Sequence, residues 1–461
     1  MTESIRRPRP GTPAGDALDY AVVGAGPFGL GLAALAEPAG LRGVVLESRE
    51  EVSWHGGMML PDATLQVPFM ADLVTLADPT SPYSFLAYLK EVGRLYPFYI
   101  RESFYPLRAE YDRYLRWAAE RLPVRLGHHV QAVERDGDLF VVTALTADGP
   151  TTLRARHVAL GVGTRPHVPA SLRGLLETGR RGGPGGPVLH SSDYLHRKDE
   201  LQATDAITVV GSGQSAAEVY RDLLDDARDR GYHLTWVTRS ARFFPMEYTK
   251  LTLEMTSPEY TAYFQSLPLE LRDRLVGEHK PLYKGISGDL VDDVYDTLYR
   301  LGLDGPVPTD LHAGATVTAA SWDGEAGRYR LGLRHDETGT PFWLDSASVV
   351  LATGYRPAVP DLVEPLRDRL HWDERGRYAV AADYTIDDEH RVFVQNAEEH
   401  THGFVAPDLG MGAFRSSVIV NTMTGREVYP VEERIAFQTF GAPSADGTTR
   451  DRTLTEVDRW R

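Results

Sequence analysis

Two places along the chain show the same order of hydrophobic and polar positions. Each begins with a short apolar run, passes through a glycine-rich turn and continues with apolar residues at helical spacing. The two apolar runs are Tyr20-Ala21-Val22-Val23 and Ile207-Thr208-Val209-Val210. Such a pattern predicts a strand, a tight turn and a helix. With further apolar runs at 44–46 and 235–237, two β-α-β units are predicted, at 18–49 and 205–239.

The repeated unit predicts an α/β fold with two Rossmann-like dinucleotide-binding domains. A third apolar run, at 349–352, enters another glycine turn late in the chain. The second domain is therefore predicted to be inserted into the first, together with a small, mostly helical substrate region. The predicted boundaries are 1–17 for a disordered tail, 18–170 and 346–440 for the first domain, 200–345 for the second domain, about 240–300 for its helical substrate segment, and 441–461 for a polar tail.

The glycines of the first turn predict a nucleotide site. Gly24, Gly26 and Gly29 allow a tight turn and a close backbone approach to a pyrophosphate. The helix that follows directs its N-terminus at the phosphates. Glu47 ends the next strand, where an acidic side chain accepts hydrogen bonds from a ribose. A glycine turn alone is weak evidence, but the flanking patterns and the acid together favour dinucleotide binding.

The second turn carries Gly211, Gly213, Gln214 and Ser215, and its third glycine position is Ala216, which the motif tolerates. The strand after its helix leads to Arg239 rather than to an acid. A carboxylate would repel the 2′-phosphate of NADPH, whereas an arginine pairs with it. The second site is therefore predicted to bind NADPH rather than NADH. The alternative is a solvent-exposed arginine that binds no ligand.

Composition excludes several classes of function. The 461 residues carry a formal net charge of −16 and no basic run, which argues against nucleic-acid binding. Cysteine is absent, which excludes disulfides, thiolate metal sites and a redox-active cysteine pair beside a flavin, and no metal site is predicted. Acidic residues and prolines interrupt the apolar stretch at 18–41, so it predicts strand, turn and helix rather than a membrane span. A cytoplasmic location is expected.

A contiguous segment between the two glycine turns resembles the flavin-dependent N-hydroxylating monooxygenases. These enzymes hydroxylate ornithine, lysine or aliphatic diamines in siderophore pathways. The segment reads WHGGMMLPDATLQVPF at 54–69 and continues with DPTSPYSF at 78–85. The resemblance extends from about 18 to 440 and includes ATGY at 352–355 and HG at 402–403. It implies FAD at the first glycine turn, NADPH at the second, and O2 as the oxidant.

The resemblance also implies roles for individual residues. Trp54, His55 and Gln66 should lie near the isoalloxazine and are the candidate catalytic residues. The turn that links the NADPH and flavin domains should consist of Ala352, Thr353, Gly354 and Tyr355. Leu409 should lie beside the flavin, and Gly410 and Met411 beside the amine pocket. Each residue alone is more typical of core packing, and the contiguous pattern is what favours the functional interpretation.

Three positions bear on the substrate. Family members that act on amino acids use polar side chains to hold the α-amino-acid head, and the corresponding positions here are Ala71, Leu253 and Leu282. A buried carboxylate without a cationic partner is costly. The preferred hypothesis is therefore a diamine such as putrescine or cadaverine. Hydroxylation of L-lysine at N6 or of L-ornithine at N5 is the alternative. A flavin reductase and a redox sensor without oxygenation are alternatives of another class.

The family resemblance further implies the reaction. NADPH reduces FAD, reduced FAD and O2 form a C4a-hydroperoxide, and the neutral amine attacks its distal oxygen. Removing a proton from an amine with a pKa of about 10.4 costs roughly 4 kcal/mol near neutral pH, and an apolar pocket lowers this cost. The expected partners are a small amine and O2. A homo-oligomer is expected as well, a tetramer by analogy with the family.

Overall fold

The computed structural model describes residues 17–442 of the 461-residue chain. The tails predicted at 1–17 and 441–461 therefore lie outside the described residues, except for residues 17, 441 and 442. Within 17–442, no helix combines the length and the apolar character needed to cross a membrane.

Strands form the framework of the described residues. In chain order they are β1 (Leu18–Val23), β2 (Gly43–Leu46), β3 (Val124–Arg125), β4 (His129–Asp136), β5 (Leu139–Thr146), β6 (Gly149–Leu160), β7 (Thr164–Pro166), β8 (Val188–His190), β9 (Ala206–Val210), β10 (His233–Val237), β11 (Thr309–His312), β12 (Ala315–Asp323), β13 (Arg328–His335), β14 (Pro341–Ser346), β15 (Ser348–Leu351), β16 (Tyr355–Pro357) and β17 (Val392–Val394).

Helices connect and cover these strands. The α-helices are α1 (Pro27–Ala36), α2 (Phe85–Glu91), α3 (Leu95–Ile100), α4 (Arg108–Ala119), α5 (Arg173–Thr178), α6 (Tyr194–Gln202), α7 (Gln214–Leu224), α8 (Ala227–Arg230), α9 (Lys250–Leu253), α10 (Pro258–Gln265), α11 (Leu269–Glu278), α12 (Lys280–Tyr283), α13 (Gly288–Gly302), α14 (Glu399–His402) and α15 (Gly412–Thr424). Short 3-10 helices lie at Gly56–Met58, Ala170–Leu172, Ser191–Asp193, Asp361–Arg369 and Gly403–Val405.

The first sheet has the strand order β3-β2-β1-β6-β5-β4, with β17 paired to β6. Its β3-β2-β1-β6 part and β17 are parallel, and β6, β5 and β4 are antiparallel. Alternate residues of a strand point to opposite faces. Tyr20 and Val22 of β1 accordingly pack with residues of α1 and α4, whereas Ala21 and Val23 join a separate core. Burial on both faces explains why β1 reads as a continuous apolar run.

The second sheet is entirely parallel and has the order β11-β10-β9-β15-β8. Ile207 and Val209 of β9 pack with α7 and α13, which lie over one face of this sheet. Strands β12, β13 and β14 form a separate antiparallel sheet between β11 and β15 along the chain. Both glycine turns thus follow a central parallel strand and precede a helix, as the sequence predicts.

The predicted boundary at residue 346 needs correction. Strand β15 was grouped with the first domain, but it pairs with β9 and β8 in the second sheet. Strand β8 also belongs to this sheet, although it precedes the predicted start at 200. An apolar run shows that a strand is buried on both faces, but it carries no information about which of two parallel sheets the strand joins.

A two-stranded ladder marks the place where the chain passes between the two sheets. Strand β7 follows β6 of the first sheet, β16 follows β15 of the second, and the two pair antiparallel. Tyr355 lies opposite Pro166, and Pro357 lies opposite Thr164. The ATGY segment at 352–355 therefore lies at the passage between the two sheets.

A buried ion pair supports the C-terminal part of the fold. The Nε atom of Arg415 on α15 lies 3.0 Å from Oε1 of Glu398, and the two side chains are 1% and 0% exposed. The guanidinium also lies 4.5 Å from the ring centre of Phe28 in the first glycine turn. Burial raises the pKa of Glu398, and the neighbouring Arg415 charge opposes that rise. The Arg415 charge therefore favours the ionised form of this buried carboxyl group.

Replacing Arg415 tests this ion pair. The Arg415→Met variant leaves the Glu398 carboxyl buried without its cation and should lose roughly 3–5 kcal/mol of unfolding free energy, as when a buried ion pair is broken. Urea unfolding of the purified protein measures this loss. The matched control is Arg330→Met, which breaks the exposed 3.1 Å pair with Asp345 and should leave the midpoint almost unchanged. Equal urea midpoints for Arg415→Met and the unsubstituted protein would contradict a stabilising role of the Arg415–Glu398 pair.

Candidate functional site

In the first glycine turn, two glycines lie in close contact with other backbone segments and the third is open to solvent. Gly24 has a φ of +106°, and a Cβ there would lie 2.3 Å from the carbonyl oxygen of Gly161. A Cβ on Gly29 would lie 2.1 Å from the carbonyl oxygen of Gly24. Side chains are therefore excluded at both positions. A Cβ on Gly26, in contrast, would meet no atom within 4 Å, so the backbone there is accessible to a ligand.

Glu47 directly follows β2 and lies beside this turn. Its Oε2 accepts a hydrogen bond from the backbone N–H of Ala25 at 3.1 Å, and its Oε1 accepts one from Nε of Arg49 at 3.0 Å. Burial would raise the pKa of Glu47, but the hydrogen bonds from Arg49 and Ala25 outweigh it and lower the pKa. An ionised acceptor at the end of the second strand is the arrangement that binds a ribose hydroxyl in dinucleotide folds.

Sequence patterns give no signal for Gln395, which also lies at this turn. Its Nε2 donates to the carbonyl oxygen of Phe28 at 3.2 Å. Its Oε1 is buried and has no hydrogen-bond partner among the described residues. An unsatisfied buried acceptor is costly unless a donor reaches it. Together with the open face of Gly26, this amide fits a hydroxyl-bearing nucleotide such as FAD at the first turn.

The second glycine turn repeats the close backbone approach. A Cβ on Gly211 would lie 2.3 Å from the carbonyl oxygen of Ala352, so the turn lies directly against the end of β15. Helix α7 begins at Gln214 after Gly213, and its first-turn N–H groups point out of the helix end toward an incoming phosphate.

A group of basic side chains lies near the end of β10. Arg239 is exposed and forms no ion pair or hydrogen bond with the described residues. Partial burial lowers the pKa of Lys280, and the charges of Lys284, Arg239 and Arg356 lower it further. Such accumulated positive charge favours an anion, and it fits the 2′-phosphate expected beside Arg239. Lys280 and Arg356 are far from Arg239 in sequence, so no motif reveals them.

A cavity of about 310 Å³ lies between the two domains and beside the second glycine turn. Nine of the residues predicted for the site line it, namely Trp54, His55, Gln66, Gln214, Ser215, Leu253, Leu282, Tyr355 and Leu409. The remaining lining residues are mostly apolar or aromatic, namely Met58, Thr64, Leu65, Val67, Arg108, Met246, Glu247, Tyr248, Thr252, Thr256, Tyr283, Phe404, Pro407 and Asp408. The structure thus brings residues from both predicted domains and the helical segment around one space.

An aromatic group forms one wall of the cavity. The His55 ring lies 4.7 Å from Trp54 and 5.8 Å from Tyr355, measured between ring centres. His55 has a φ of 56°, and a Cβ on the nearby Gly57 would lie 1.8 Å from the carbonyl oxygen of Ser192, so this loop packs tightly against the second domain. His55 lines the cavity and is exposed there, with protein atoms crowded around its ring. This desolvation, with the charges of Arg108 and Arg49, lowers its pKa to about 4, so the ring is neutral at physiological pH.

A hydrogen-bonded network crosses the cavity from one domain to the other. Nε2 of Gln66 donates to Oε1 of Gln214 at 3.2 Å. Nε2 of Gln214 donates to Oε1 of Glu218 at 3.0 Å. Arg108 donates to both oxygens of Glu218, at 3.0 and 2.8 Å. Both members of this ion pair are largely buried, with side chains 12% and 5% exposed. Residues on the first domain are thereby fixed to the helix that begins at the second glycine turn.

The turn at 352–355 is held by the ladder between the two sheets. Gly354 has a φ of +81°, and its carbonyl oxygen accepts from the N–H of His167 at 2.8 Å. The Thr353 hydroxyl donates to the carbonyl oxygen of His167 at 2.5 Å. Of the four predicted residues, Tyr355 reaches the cavity, whereas Ala352, Thr353 and Gly354 form the supporting backbone.

The predicted substrate residues divide into two groups. Leu253 at the end of α9 and Leu282 on α12 line the cavity, but Ala71, Gly410 and Met411 do not. Gly410 donates its N–H to Oδ1 of Asp408 at 2.6 Å, and a Cβ on Gly410 would lie 3.9 Å from that of Ala71. The chain turns at this point and directs Asp408 and Leu409 at the cavity. Gly410 and Met411 directly follow the lining residues Asp408 and Leu409, and their predicted position beside the amine pocket stays a prediction, as does the role of Ala71.

Two carboxyl groups that are not among the predicted site residues also line the cavity. Glu247 is exposed near α9, and Asp408 is half-buried in the wall formed by the loop after Gly403–Val405. Arg108 is the sole lysine or arginine among the described lining residues, and Glu218 already binds it. The described residues contain no group of three or more histidine, aspartate or glutamate side chains arranged to hold a metal ion.

Comparison with known proteins gives a consistent result. The family model described as L-lysine 6-monooxygenase/L-ornithine 5-monooxygenase matches residues 16–357. The chain is 43% identical to a putrescine N-hydroxylase from Shewanella oneidensis over 428 residues, which cover 92% of this chain and 84% of that protein.

Two solved structures are similar over almost their whole length. One is the FAD-bound cadaverine monooxygenase of the desferrioxamine pathway from Erwinia amylovora, with 48% identity, a TM-score of 0.89 and coverage of 93% of this chain and 99% of that one. The other is an ornithine N-hydroxylase from Kutzneria sp. 744 with reduced FAD, NADP+ and L-ornithine. It has 29% identity, a TM-score of 0.80 and coverage of 89% of this chain and 99% of that one.

Substitution of Arg239 tests the basic cluster. Arg239→Ala should raise the Kd for NADPH about tenfold, because hydrogen bonds to charged groups contribute about 1.5 kcal/mol or more, and should leave the Kd for NADH unchanged. Fluorescence titration with both nucleotides measures the ratio of the Kd for NADPH to the Kd for NADH. Arg334→Ala is the control, since this exposed arginine pairs with Asp336 at 3.1 Å on β13. An equal loss of affinity for NADPH and NADH would contradict a role in binding the 2′-phosphate.

Proposed function

This chain belongs to the L-lysine 6-monooxygenase/L-ornithine 5-monooxygenase family, and we propose that within it the protein N-hydroxylates a terminal primary amine of an aliphatic diamine. It is a flavin-dependent N-hydroxylating monooxygenase that uses FAD, NADPH and O2. The relatives that act on putrescine and cadaverine are 43% and 48% identical to this chain, and the ornithine N-hydroxylase is 29% identical.

The charge balance of the cavity is the observation that carries the choice of a diamine. Its lining includes Glu247 and Asp408, and its one arginine is occupied by Glu218. The α-carboxylate of lysine or ornithine would find no free cation in this lining and would be desolvated without compensation. A diamine carries positive charge at both ends and matches the acidic side chains.

The cavity residues support the reaction by shaping the environment of the amine. Bound FAD would supply the oxygen chemistry and NADPH the hydride, and the glycine turns with Glu47, Gln395 and Arg239 are proposed to hold the two cofactors. Leu253, Leu282 and Phe404 provide apolar surface that favours the neutral, nucleophilic amine over its ammonium form. Neutral His55 adds no positive charge that would repel the remaining ammonium. Gln66, Trp54 and His55 are proposed to position the reacting groups.

We also propose that the enzyme acts in the cytoplasm, where NADPH is regenerated, and that it forms a homo-oligomer. Support for the second proposal is a group of exposed apolar side chains on and after α3. Tyr96, Tyr99, Ile100 and Phe104 are 72%, 77%, 72% and 68% exposed, and contiguous apolar surface of this kind marks interaction sites. Light scattering should give a multiple of the chain mass, and a monomer at micromolar concentration would contradict this proposal.

A substrate panel tests the proposed reaction. FAD-loaded enzyme should oxidise NADPH faster with putrescine or cadaverine and convert them to hydroxylamines. L-Lysine and L-ornithine should show at least about tenfold lower kcat/KM, because an unpaired buried carboxylate costs more than about 1.4 kcal/mol. Colorimetric hydroxylamine detection and peroxide measurement give the products.

Two outcomes would contradict the proposal in different ways. Hydroxylamine from L-lysine with none from the diamines would assign the enzyme to amino acids. Peroxide as the sole product with every amine would favour a flavin reductase or a redox sensor.

A further inference from the structure

The Asp408 side chain is a carboxylate in the cavity wall whose second oxygen has no protein partner. Its Oδ1 accepts the N–H of Gly410 at 2.6 Å, and no other hydrogen bond or ion pair to the Asp408 side chain occurs among the described residues. Burial raises the pKa of this carboxyl group, opposed by the Gly410 hydrogen bond and by the Arg415 charge. A partly buried carboxylate in this situation gains most from a cation that enters with a ligand.

The loop that carries Asp408 is held from behind. Arg415 donates through Nη2 to the carbonyl oxygen of Ala406 at 2.7 Å and to that of Val405 at 3.3 Å. Arg415 is itself fixed by its buried ion pair with Glu398. The positive charge of Arg415, behind the loop, is therefore already paired with Glu398. The backbone around Asp408 is tied to α15 before any substrate binds, so the carboxylate is preorganised.

The surroundings of Asp408 suit a methylene chain. The cavity wall near the loop contains Tyr248, Leu282 and Phe404. Burial and the negative charge of Asp408 raise the pKa of Tyr248 to about 12, so the phenol keeps its proton. A ligand in this cavity would contact both apolar surface and the Asp408 carboxylate.

We propose that Asp408 binds the ammonium group at the unreacted end of the diamine and thereby selects diamines over monoamines and amino acids. This inference rests on the proposed function and assigns its specificity to one residue. The ammonium donates to the free oxygen of Asp408 while the opposite, neutral amine is presented for hydroxylation. The α-carboxylate of lysine or ornithine would instead face the Asp408 carboxylate, and the like charges would repel.

Glu247 offers a natural control because it lines the same cavity with the same charge. Glu247 is exposed to solvent, whereas Asp408 is half-buried. Interactions of exposed charges are weak because water competes with them. Removing the Glu247 charge should therefore lower diamine turnover less than removing the Asp408 charge, which separates a specific contact at Asp408 from a general effect of negative charge in the cavity.

The experiment compares cadaverine with n-pentylamine, which has the same chain length but lacks the second amine. In the unsubstituted enzyme, kcat/KM for hydroxylamine formation should be higher with cadaverine. Asp408→Asn should lower kcat/KM for cadaverine about 10- to 100-fold, the range expected for one hydrogen bond to a charged group, while n-pentylamine turnover changes less than about threefold. Glu247→Gln should lower kcat/KM for cadaverine less than Asp408→Asn does, because its carboxylate is exposed to water.

A second variant tests the geometry. Asp408→Glu keeps the charge but extends the side chain by one methylene, so it should restore diamine turnover and shift the preference from cadaverine toward the shorter putrescine. Equal losses for cadaverine and n-pentylamine in Asp408→Asn, or no loss for either, would overturn the assignment of Asp408. A lack of hydroxylamine from any diamine with the unsubstituted enzyme would instead overturn the proposed function.

Discussion

A buried ion pair between Arg108 and Glu218 fixes the relation between the two nucleotide-binding domains, and the cavity depends on it. Arg108 begins α4 in the first domain, and Glu218 lies on α7, directly after the second glycine turn. The bidentate geometry gives orientation as well as attraction. Gln214 shares the Glu218 carboxylate and passes the connection to Gln66 on the opposite wall. Loss of either charge would leave the other buried and unpaired, so the domains would lose their register at the place where both cofactors must meet.

The same ion pair decides the electrostatic character of the cavity. Because Glu218 occupies Arg108, the lining offers no free lysine or arginine among the described residues, while Asp408 and Glu247 add negative charge. Apolar residues such as Leu253 and Leu282 cover most of the remaining wall. An amine in such a site is under two opposing influences. Desolvation favours the neutral form that can react, and the carboxylates favour a cation, which a diamine provides at its other end.

The features that sequence reveals here are local ones. Glycines at 24 and 29 follow from the backbone contacts of one turn, and the segment 54–69 places Trp54, His55 and Gln66 together on one loop. The features that the sequence does not reveal are contacts between residues far apart in the chain, or they depend on the direction in which the chain turns at one position. Strand β15 joins the second sheet through parallel pairing. The turn at Asp408 directs Asp408 and Leu409 into the cavity lining, which does not include Gly410 and Met411. Lys280 approaches Arg239 through folding of the helical segment.

A crystal structure of the enzyme with FAD, NADP+ and cadaverine tests the central claim most directly. The diamine should lie in the cavity between the two domains, with one nitrogen beside the flavin and the other within hydrogen-bond distance of Asp408. The Arg108–Glu218 pair should stay intact. A diamine bound outside this cavity, or an Arg108 side chain that leaves Glu218 to contact a substrate carboxylate, would contradict the account.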